Sequence, residues 1–370
     1  VIDTRDMTDC QKEALRMASQ WYRSKSKLFF VIDGWAGTGK SSLIPHIADS
    51  IGLRRHNIRV CTFTGKASLV LIRKGIESQT IHSLIMYPVT SANGTTTFVK
   101  KHRLEPEIKL IIIDERSMVS NSMMKDLLSF KVPMILLGDP GQLPPVGEQN
   151  RYITKPDIVL DKIHRQAEGN EIIVAATKIR MGEDLPLSEG NDVKVRDMSM
   201  FTQERAFWAD QVLVGYNRTR KIINANMRND LGRVNMYPVE GDKIICLKNN
   251  QHAAIAGYML VNGMTGFIEK LDQFNSRLDF RPEFLEHAKF RMLKYDPGIF
   301  LGRDYDPQKL RMHTNPFDYG YAITVHKAQG SQYRNTVVIE EVLRQETHRQ
   351  WLYTAATRAE EKLEIYKTTR

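Results

Sequence analysis

The sequence predicts an α/β protein built on two parallel sheets, with small β-rich insertions. Three observations predict it. Short apolar runs rich in β-branched residues recur along the chain, each ending in a polar or glycine-containing stretch. One of them, "LFFVID" (28–33), leads directly into "GWAGTGKSS" (34–42), a glycine-rich loop ahead of a helical segment. A second set of runs begins after Leu160, and 370 residues exceed what one hydrophobic core usually serves.

Taken in order, "QKEALRMASQWY" (11–22) has the apolar spacing of a helix. After the 28–33 strand come "IRVCTF" (58–63), "IKLIIID" (108–114) and "VPMILLGD" (132–139), whose lengths suit strands buried on both faces. In such sheets the loops at the carboxyl ends of the strands hold the ligand. Segment 83–107 is a lesser insertion in this series. Within it, "MYPVTSANGTTTFVKKH" (86–102) places two β-favouring runs around Asn93 and Gly94, which accept positive φ and predict a tight hairpin. The second set comprises "QVLVGYN" (211–217), "YAITVH" (321–326) and "NTVVIE" (335–340). Between its members, 240–312 is rich in short strand-like pieces and turn residues, which predicts an inserted β domain. "QWLYTAATRAEEKL" (350–363) carries helical spacing again. The expected organisation is a first domain over 1–158 with its insertion at 83–107. A second domain is assembled from 159–239 and 313–370, around an insertion at 240–312.

Composition narrows the partners. Lys plus Arg number 53 against 43 Asp plus Glu, and the resulting +10 favours polyanions such as nucleic acid. No apolar run approaches the roughly 18–20 residues of a membrane span, and no secretory leader is visible, so a membrane partner is not expected and a cytoplasmic location is. Cys10, Cys61 and Cys246 are scattered without disulfide or metal spacing, which suits a reducing compartment.

The chemistry lies in three strand ends. Gly34, Gly39, Lys40 and Ser41 complete G-x-x-x-x-G-K-[ST]. The backbone N–H groups of such a loop, here Ala36, Gly37, Thr38, Gly39 and Ser42 among them, wrap phosphates. Lys40 addresses the β and γ oxygens and the Ser41 hydroxyl ligates Mg²⁺, so ATP and Mg²⁺ are the expected ligands. Pro45, inside the expected following helix, removes a donor and predicts a bend. The 108–114 strand ends in Asp114, a second Mg²⁺ ligand, and Glu115, which would orient and deprotonate an attacking water. "GDPGQLPPVG" (138–147) supplies Gln142, whose amide can sense a γ-phosphate.

These motifs resemble superfamily 1 DNA helicases, in the branch that holds the phage Dda helicase and the RecD-like enzymes. The resemblance runs in order from Gln11 to Arg358 and is weakest over 270–315. It implies two RecA-like P-loop domains, a β-hairpin pin at 83–107 and an SH3-like fold for the 240–312 insertion. In "MTDCQKEAL" (7–15), Gln11 is similar to the family's adenine-reading glutamine. "TFTGKAS" (62–68) and "QTIHSLI" (79–85) resemble nucleic-acid motifs, which assigns Thr64, Lys66 and His82 to the strand. "LDKIHRQ" (160–166) and "LYTAATRAEEKL" (352–363) imply that Arg165 and Arg358 reach the γ-phosphate from the second domain. "YAITVHKAQGSQ" (321–332) implies strand contacts by Thr324 and His326 and a nucleotide contact at Gly330; Asn217 is a further expected strand contact. Phe98, on the return strand of the hairpin, is the expected pin aromatic. Arg116 and Gln332 depart from the family pattern.

The expected activity is ATP-dependent translocation on single-stranded DNA, 5′ to 3′, with unwinding at single-strand/double-strand junctions. The expected protein is a monomer, with single-strand-binding, replication or recombination proteins as neighbours. A translocase that strips bound proteins and an RNA helicase of the same superfamily stay open at this point. An ATP-gated clamp without turnover is disfavoured by Glu115, Gln142 and Arg358.

Overall fold

The computed structural model describes residues 7–90, 96–144, 155–162, 169–255, 258–285, 287–307, 310, 314–341, 343 and 345–368. The strands are β1 (Phe29–Gly34), β2 (Ile58–Thr62), β3 (Gln79–Thr80), β4 (Met86–Thr90), β5 (Thr96–Lys100), β6 (Leu110–Asp114), β7 (Met134–Gly138) and β8 (Ile158–Leu160). They continue with β9 (Ser188–Glu189), β10 (Val193–Asp197), β11 (Gln211–Val214), β12 (Lys243–Cys246), β13 (Asn250–Ile255), β14 (Tyr258–Leu260), β15 (Thr265–Asp272), β16 (Arg277–Pro282) and β17 (Phe290–Lys294). Last come β18 (Phe317–Tyr319), β19 (Ala322–Thr324), β20 (Tyr333–Ile339) and β21 (Ala359–Lys367). The helices are α1 (Asp9–Ser24), α2 (Ile44–Ile51), α3 (Gly65–Arg73), α4 (Ile81–Ile85), α5 (Asn121–Ser129), α6 (Glu171–Met181), α7 (Gln203–Trp208), α8 (Asn217–Asp230), α9 (Pro297–Phe300), α10 (Val325–Ala328) and α11 (Gln345–Ala356).

Two compact units are present. Unit 1 is Val1–Phe63, Ala67–Leu185 and Arg344–Thr357; unit 2 is Thr64–Lys66, Pro186–Leu343 and Arg358–Arg370.

Unit 1 is organised by a parallel sheet in the order β3-β2-β6-β7-β1-β8. The apolar runs that predicted strands form it because both faces are covered, so a run without alternation can be buried whole; β6 and β7 are buried at every position. Phe30, Ile32, Ile112 and Leu137 pack on one side with Ala14 and Trp21 of α1, while Val31, Ile111, Ile113 and Leu136 pack on the other with Met124 and Leu127 of α5. The 83–107 insertion carries the antiparallel pair β4 and β5, with Pro88 opposite Phe98. Its expected Asn93-Gly94 turn, and the Phe98 side chain, lie outside the described residues. So does Arg165.

The expected bend at Pro45 does not occur. Residues Ser41–Leu43 form a 3₁₀ turn and α2 starts at Ile44, so Pro45 sits in the first helical turn, where its missing N–H has no helical partner to lose.

Unit 2 contains a second sheet in the order β19-β11-β20-β21-β10-β9, parallel except for β9. The helical spacing read across 350–363 holds only to Ala356. From Ala359 the chain is β21, where Leu363 and Ile365 are buried between β20 and β10. Sheet burial outweighs the helical pattern there. A five-stranded antiparallel sheet, β17-β16-β15-β12-β18, gathers β12 and β15 to β17 from the 240–312 segment and takes β18 from the residues after it. The pair β13 and β14, from the same segment, forms a separate two-stranded sheet.

Candidate active site and basic cleft

In unit 1, the sequence folds the phosphate loop around its own backbone. Gly37 and Gly39 take φ of 80° and 75°, the left-handed region that glycine enters without steric cost. A Cβ on Gly34 would lie 2.6 Å from Thr38 Oγ1 and 3.0 Å from Leu160 Cβ, so the loop closes only on glycine. Lys40 donates to the carbonyls of Gly34 (2.5 Å) and Trp35 (2.9 Å), and its ammonium is 3.7 Å from Asp139 Oδ2. Ser41 Oγ donates to Asp114 Oδ2 at 2.8 Å, which brings the two expected Mg²⁺ ligands into direct contact. Glu115 follows at φ 58° with its side chain half-buried, and its N–H is held by Asp114 Oδ1 at 3.0 Å.

Gln11 is buried beneath this loop. It closes a capping box with Thr8 at the start of α1, and its Nε2 donates to Thr38 O at 3.0 Å. Gln142 is buried, with its Oε1 lacking any hydrogen-bond partner among the described residues. An unpaired buried carbonyl is costly, and a group intended for ligand or water carries that cost for a reason.

The structure also shows residues that motif reading missed. Arg116, the departure from the family pattern, forks onto buried Asp33 at 2.6 and 2.5 Å, tying the strand before the phosphate loop to the one before Glu115. Its side chain occupies the space over Gly138, where a Cβ would collide with it. Tyr353 donates to Asp139 Oδ2 at 2.8 Å and accepts from Ala36 N–H at 3.0 Å. Desolvation, reinforced by Asp139, pushes the Tyr353 pKa up. Arg180 stacks on Trp35 with its guanidinium carbon 4.0 Å from the ring centroid. The signal for Asp139 and Tyr353 was present, since both lie inside quoted motifs, but nothing local pairs them.

His82, exposed on α4, sets its ring edge-on to Phe63 with centroids 6.3 Å apart. Desolvation pulls its pKa below the ordinary value.

In unit 2, Asn217, Thr324 and His326 line one cleft of about 920 Å³. Asn217 opens α8; Thr324 precedes α10 without spending its hydroxyl on a capping bond. The lining cations are Arg218, Arg220, Lys221, Arg228, Arg303 and Lys327, of which Arg228 pairs with Asp242 and Arg303 with Asp296; Asp304 and Asp318 are the lining acids, and Phe300 and Tyr305 supply aromatic surface. Arg220 pairs with Asp318 at 2.8 Å and Lys221 with Asp304 at 3.1 Å, whereas Arg218 and Lys327 meet no carboxylate among the described residues. Desolvation, and secondarily Arg220, lower the Lys327 pKa; desolvation alone lowers that of His326.

Three other expected site residues fall elsewhere in this unit, together with Gly330. Lys66 donates to Tyr333 OH at 2.8 Å, and Gly65 is packed so tightly on Val261 that no Cβ fits. Thr64, beside them, is half-buried. Arg358 is buried, donates to Ser331 O at 3.1 Å, and accepts on its own carbonyl from Tyr333 N–H at 2.9 Å. Gly330, at φ 71°, immediately precedes Ser331.

A parallel sheet with this loop, this acid pair and this buried glutamine defines a P-loop nucleotide-binding protein. Residues 7–194 match the AAA domain family, and residues 319–366 match the UvrD-like helicase C-terminal domain. The chain belongs to the AAA domain family. It is 28% identical over 363 residues to the ATP-dependent RecD2 DNA helicase of Deinococcus radiodurans, across 90% of this chain and 46% of that protein. The chain spans less than half the length of the curated relatives it matches.

Its fold is the RecA-like one of solved Pif1 helicases. The Bacteroides Pif1 structure in complex with ADP-AlF3 and ssDNA superposes with a TM-score of 0.57 at 19% identity, over 95% of this chain and 92% of that one. Candida albicans Pif1 gives 0.55 at 16% identity, over 99% and 94%. No helix among the described residues is long and apolar enough to cross a membrane.

Proposed function

We propose that this chain is an ATP-driven motor that moves along single-stranded DNA, 5′ to 3′, and opens duplex ahead of it. The observation that carries the reading is the placement of Lys40, Ser41 and Asp114 around one phosphate loop, together with a buried Gln142 whose Oε1 meets no partner among the described residues. The cation-rich cleft of unit 2 supports the polyanion half of it. The RecD2 relative is an ATP-dependent DNA helicase and the Bacteroides Pif1 structure holds ssDNA, which supports DNA as the track.

In this reading Lys40 exchanges its carbonyl contacts for the β and γ phosphates, and Glu115 orients the attacking water. Gln142 turns its amide to the γ-phosphate. Ser41 and Asp114 fit Mg²⁺, a hard cation that takes one or two protein oxygens and keeps several waters. When bound, Mg²⁺ neutralises charge developing on the phosphate oxygens. Arg165 and Arg358 stabilise the γ-phosphate charge, and Gln11 reads the adenine. Asn217, Thr324 and His326 grip the strand, together with Thr64, Lys66 and His82. Phe98 serves as the pin that separates the strands. The protein acts as a cytoplasmic monomer at single-strand/double-strand junctions.

The test is unwinding of matched 5′-tailed and 3′-tailed DNA and RNA duplexes with ATP. Release of the 5′-tailed DNA alone supports the reading. Release of the 3′-tailed or RNA substrate instead revises polarity or track, and ATP turnover with no strand release leaves a translocase without unwinding.

A further inference from the structure

Beside the phosphate loop, a single phenol bridges the loop backbone and a buried carboxylate. Tyr353 OH accepts from Ala36 N–H at 3.0 Å and donates to Asp139 Oδ2 at 2.8 Å. Asp139 is almost wholly buried, accepts from Gly141 N–H on Oδ1 at 2.9 Å, and has Lys40 Nζ 3.7 Å from Oδ2. The next residue on α11, Thr354, accepts from Leu143 N–H at 2.9 Å. Two consecutive side chains of one helix therefore hold both ends of the turn that carries Gln142. The turn fits against the phenol ring only because residue 141 is glycine: a Cβ there would lie 2.9 Å from Tyr353 Cε1.

The electrostatics follow from burial. A buried carboxylate needs compensating donors or a cation, and Asp139 has two donors and Lys40. On the reading proposed above, on which this inference rests, Lys40 must turn from Asp139 to the phosphates. Asp139 is then left with the Tyr353 and Gly141 donors. The phenol remains protonated and able to donate, because desolvation pushes its pKa up. We propose that Tyr353, acting through Asp139, is a positioning residue that frees Lys40 for the phosphates and fixes the turn that presents Gln142. Its hydroxyl then matters to the rate of hydrolysis more than to nucleotide affinity, because the groups it sets act on the γ-phosphate in the transition state.

The test uses Tyr353→Phe, Asp139→Asn and the double variant, with wild type and Lys40→Ala as references, in DNA-stimulated ATPase and thermal-melting assays. Each single variant is expected to lose about tenfold in kcat, with KM for ATP within about twofold of wild type. The double variant is expected to lose less than the product of the two single losses, since both changes act through the Tyr353–Asp139 contact. Unchanged kcat in Tyr353→Phe overturns the inference. So does a loss matched by a rise in KM, or a double variant whose losses multiply. If Tyr353→Phe fails to fold, Asp139→Asn, which keeps the side-chain shape, carries the same expectation. An active wild type with a dead Lys40→Ala and a normal Tyr353→Phe sinks only this inference; an inactive wild type sinks the motor reading beneath it.

Discussion

In the phosphate-loop site, Asp33 meets Arg116 at two points, Asp114 meets Ser41 and Glu115 N–H, and Asp139 meets Tyr353 and Gly141 N–H. In the cleft of unit 2, Arg218 and Lys327 meet no described carboxylate, and desolvation lowers the Lys327 and His326 pKa values. The first region has its charges matched inside the protein, with Gln142 Oε1 left over, which suits a site where groups are set before reaction. The second pairs most of its cations but leaves Arg218 and Lys327 without a carboxylate among the described residues, which suits a surface where part of the counter-charge arrives on another molecule. On the proposed reading, one serves chemistry and the other grip.

The largest expected effect is on chemistry. Lys40→Ala should abolish ATP turnover, and Arg358→Ala should cut kcat by about a thousandfold or more while leaving nucleotide binding largely intact. Steady-state ATPase with a fluorescent-nucleotide binding assay checks both. A wild-type rate in Arg358→Ala would remove that residue from the site.

Next in size is the internal charge matching. Arg116→Ala leaves Asp33 buried without its partner and should destabilise by about 3–5 kcal/mol, read as a lower urea midpoint at an unchanged slope. A shift within error would mean that water or another donor takes over Asp33, and the contrast between the two regions would weaken.

This pair also marks the limit of what the sequence can tell. The buried strands around 28–33, 108–114 and 132–139 were legible because parallel strands covered on both faces read as unbroken apolar runs. The phosphate loop was legible because its spacing encodes its geometry. Asp33 and Arg116 are separated by 83 positions and Asp139 and Tyr353 by 214, so no local pattern joins them. The strand β21 hid behind an alanine-rich helix that stops just before it. The Lys66 hydrogen bond to Tyr333 was equally invisible, since the motif names a residue type and not the neighbour that takes its amine.

Smaller effects belong to the cleft. Lys327→Ala should weaken single-stranded DNA binding at low salt and reduce the log–log salt slope by about 0.7, the value for one phosphate no longer neutralised. Fluorescence anisotropy across a salt series measures it, and an unchanged slope would place the strand elsewhere. The smallest effect is on pH. The His326 pKa lies below its ordinary value through desolvation, so the free protein holds the ring neutral near pH 7. A bound phosphate favours the protonated ring and draws that pKa back up, so binding takes up a proton. Affinity should therefore rise as pH falls from about 7 toward 6, and His326→Gln should flatten the rise. An identical pH profile in the variant would separate His326 from the strand.

Whether ATP turnover is coupled to strand binding is decided by the ATPase rate of this chain with and without single-stranded DNA, repeated over a range of salt. A steep rise is expected on adding DNA, absent in Lys40→Ala and fading as salt weakens strand binding. An ATPase rate indifferent to DNA, or a stimulation that salt does not touch, would contradict it.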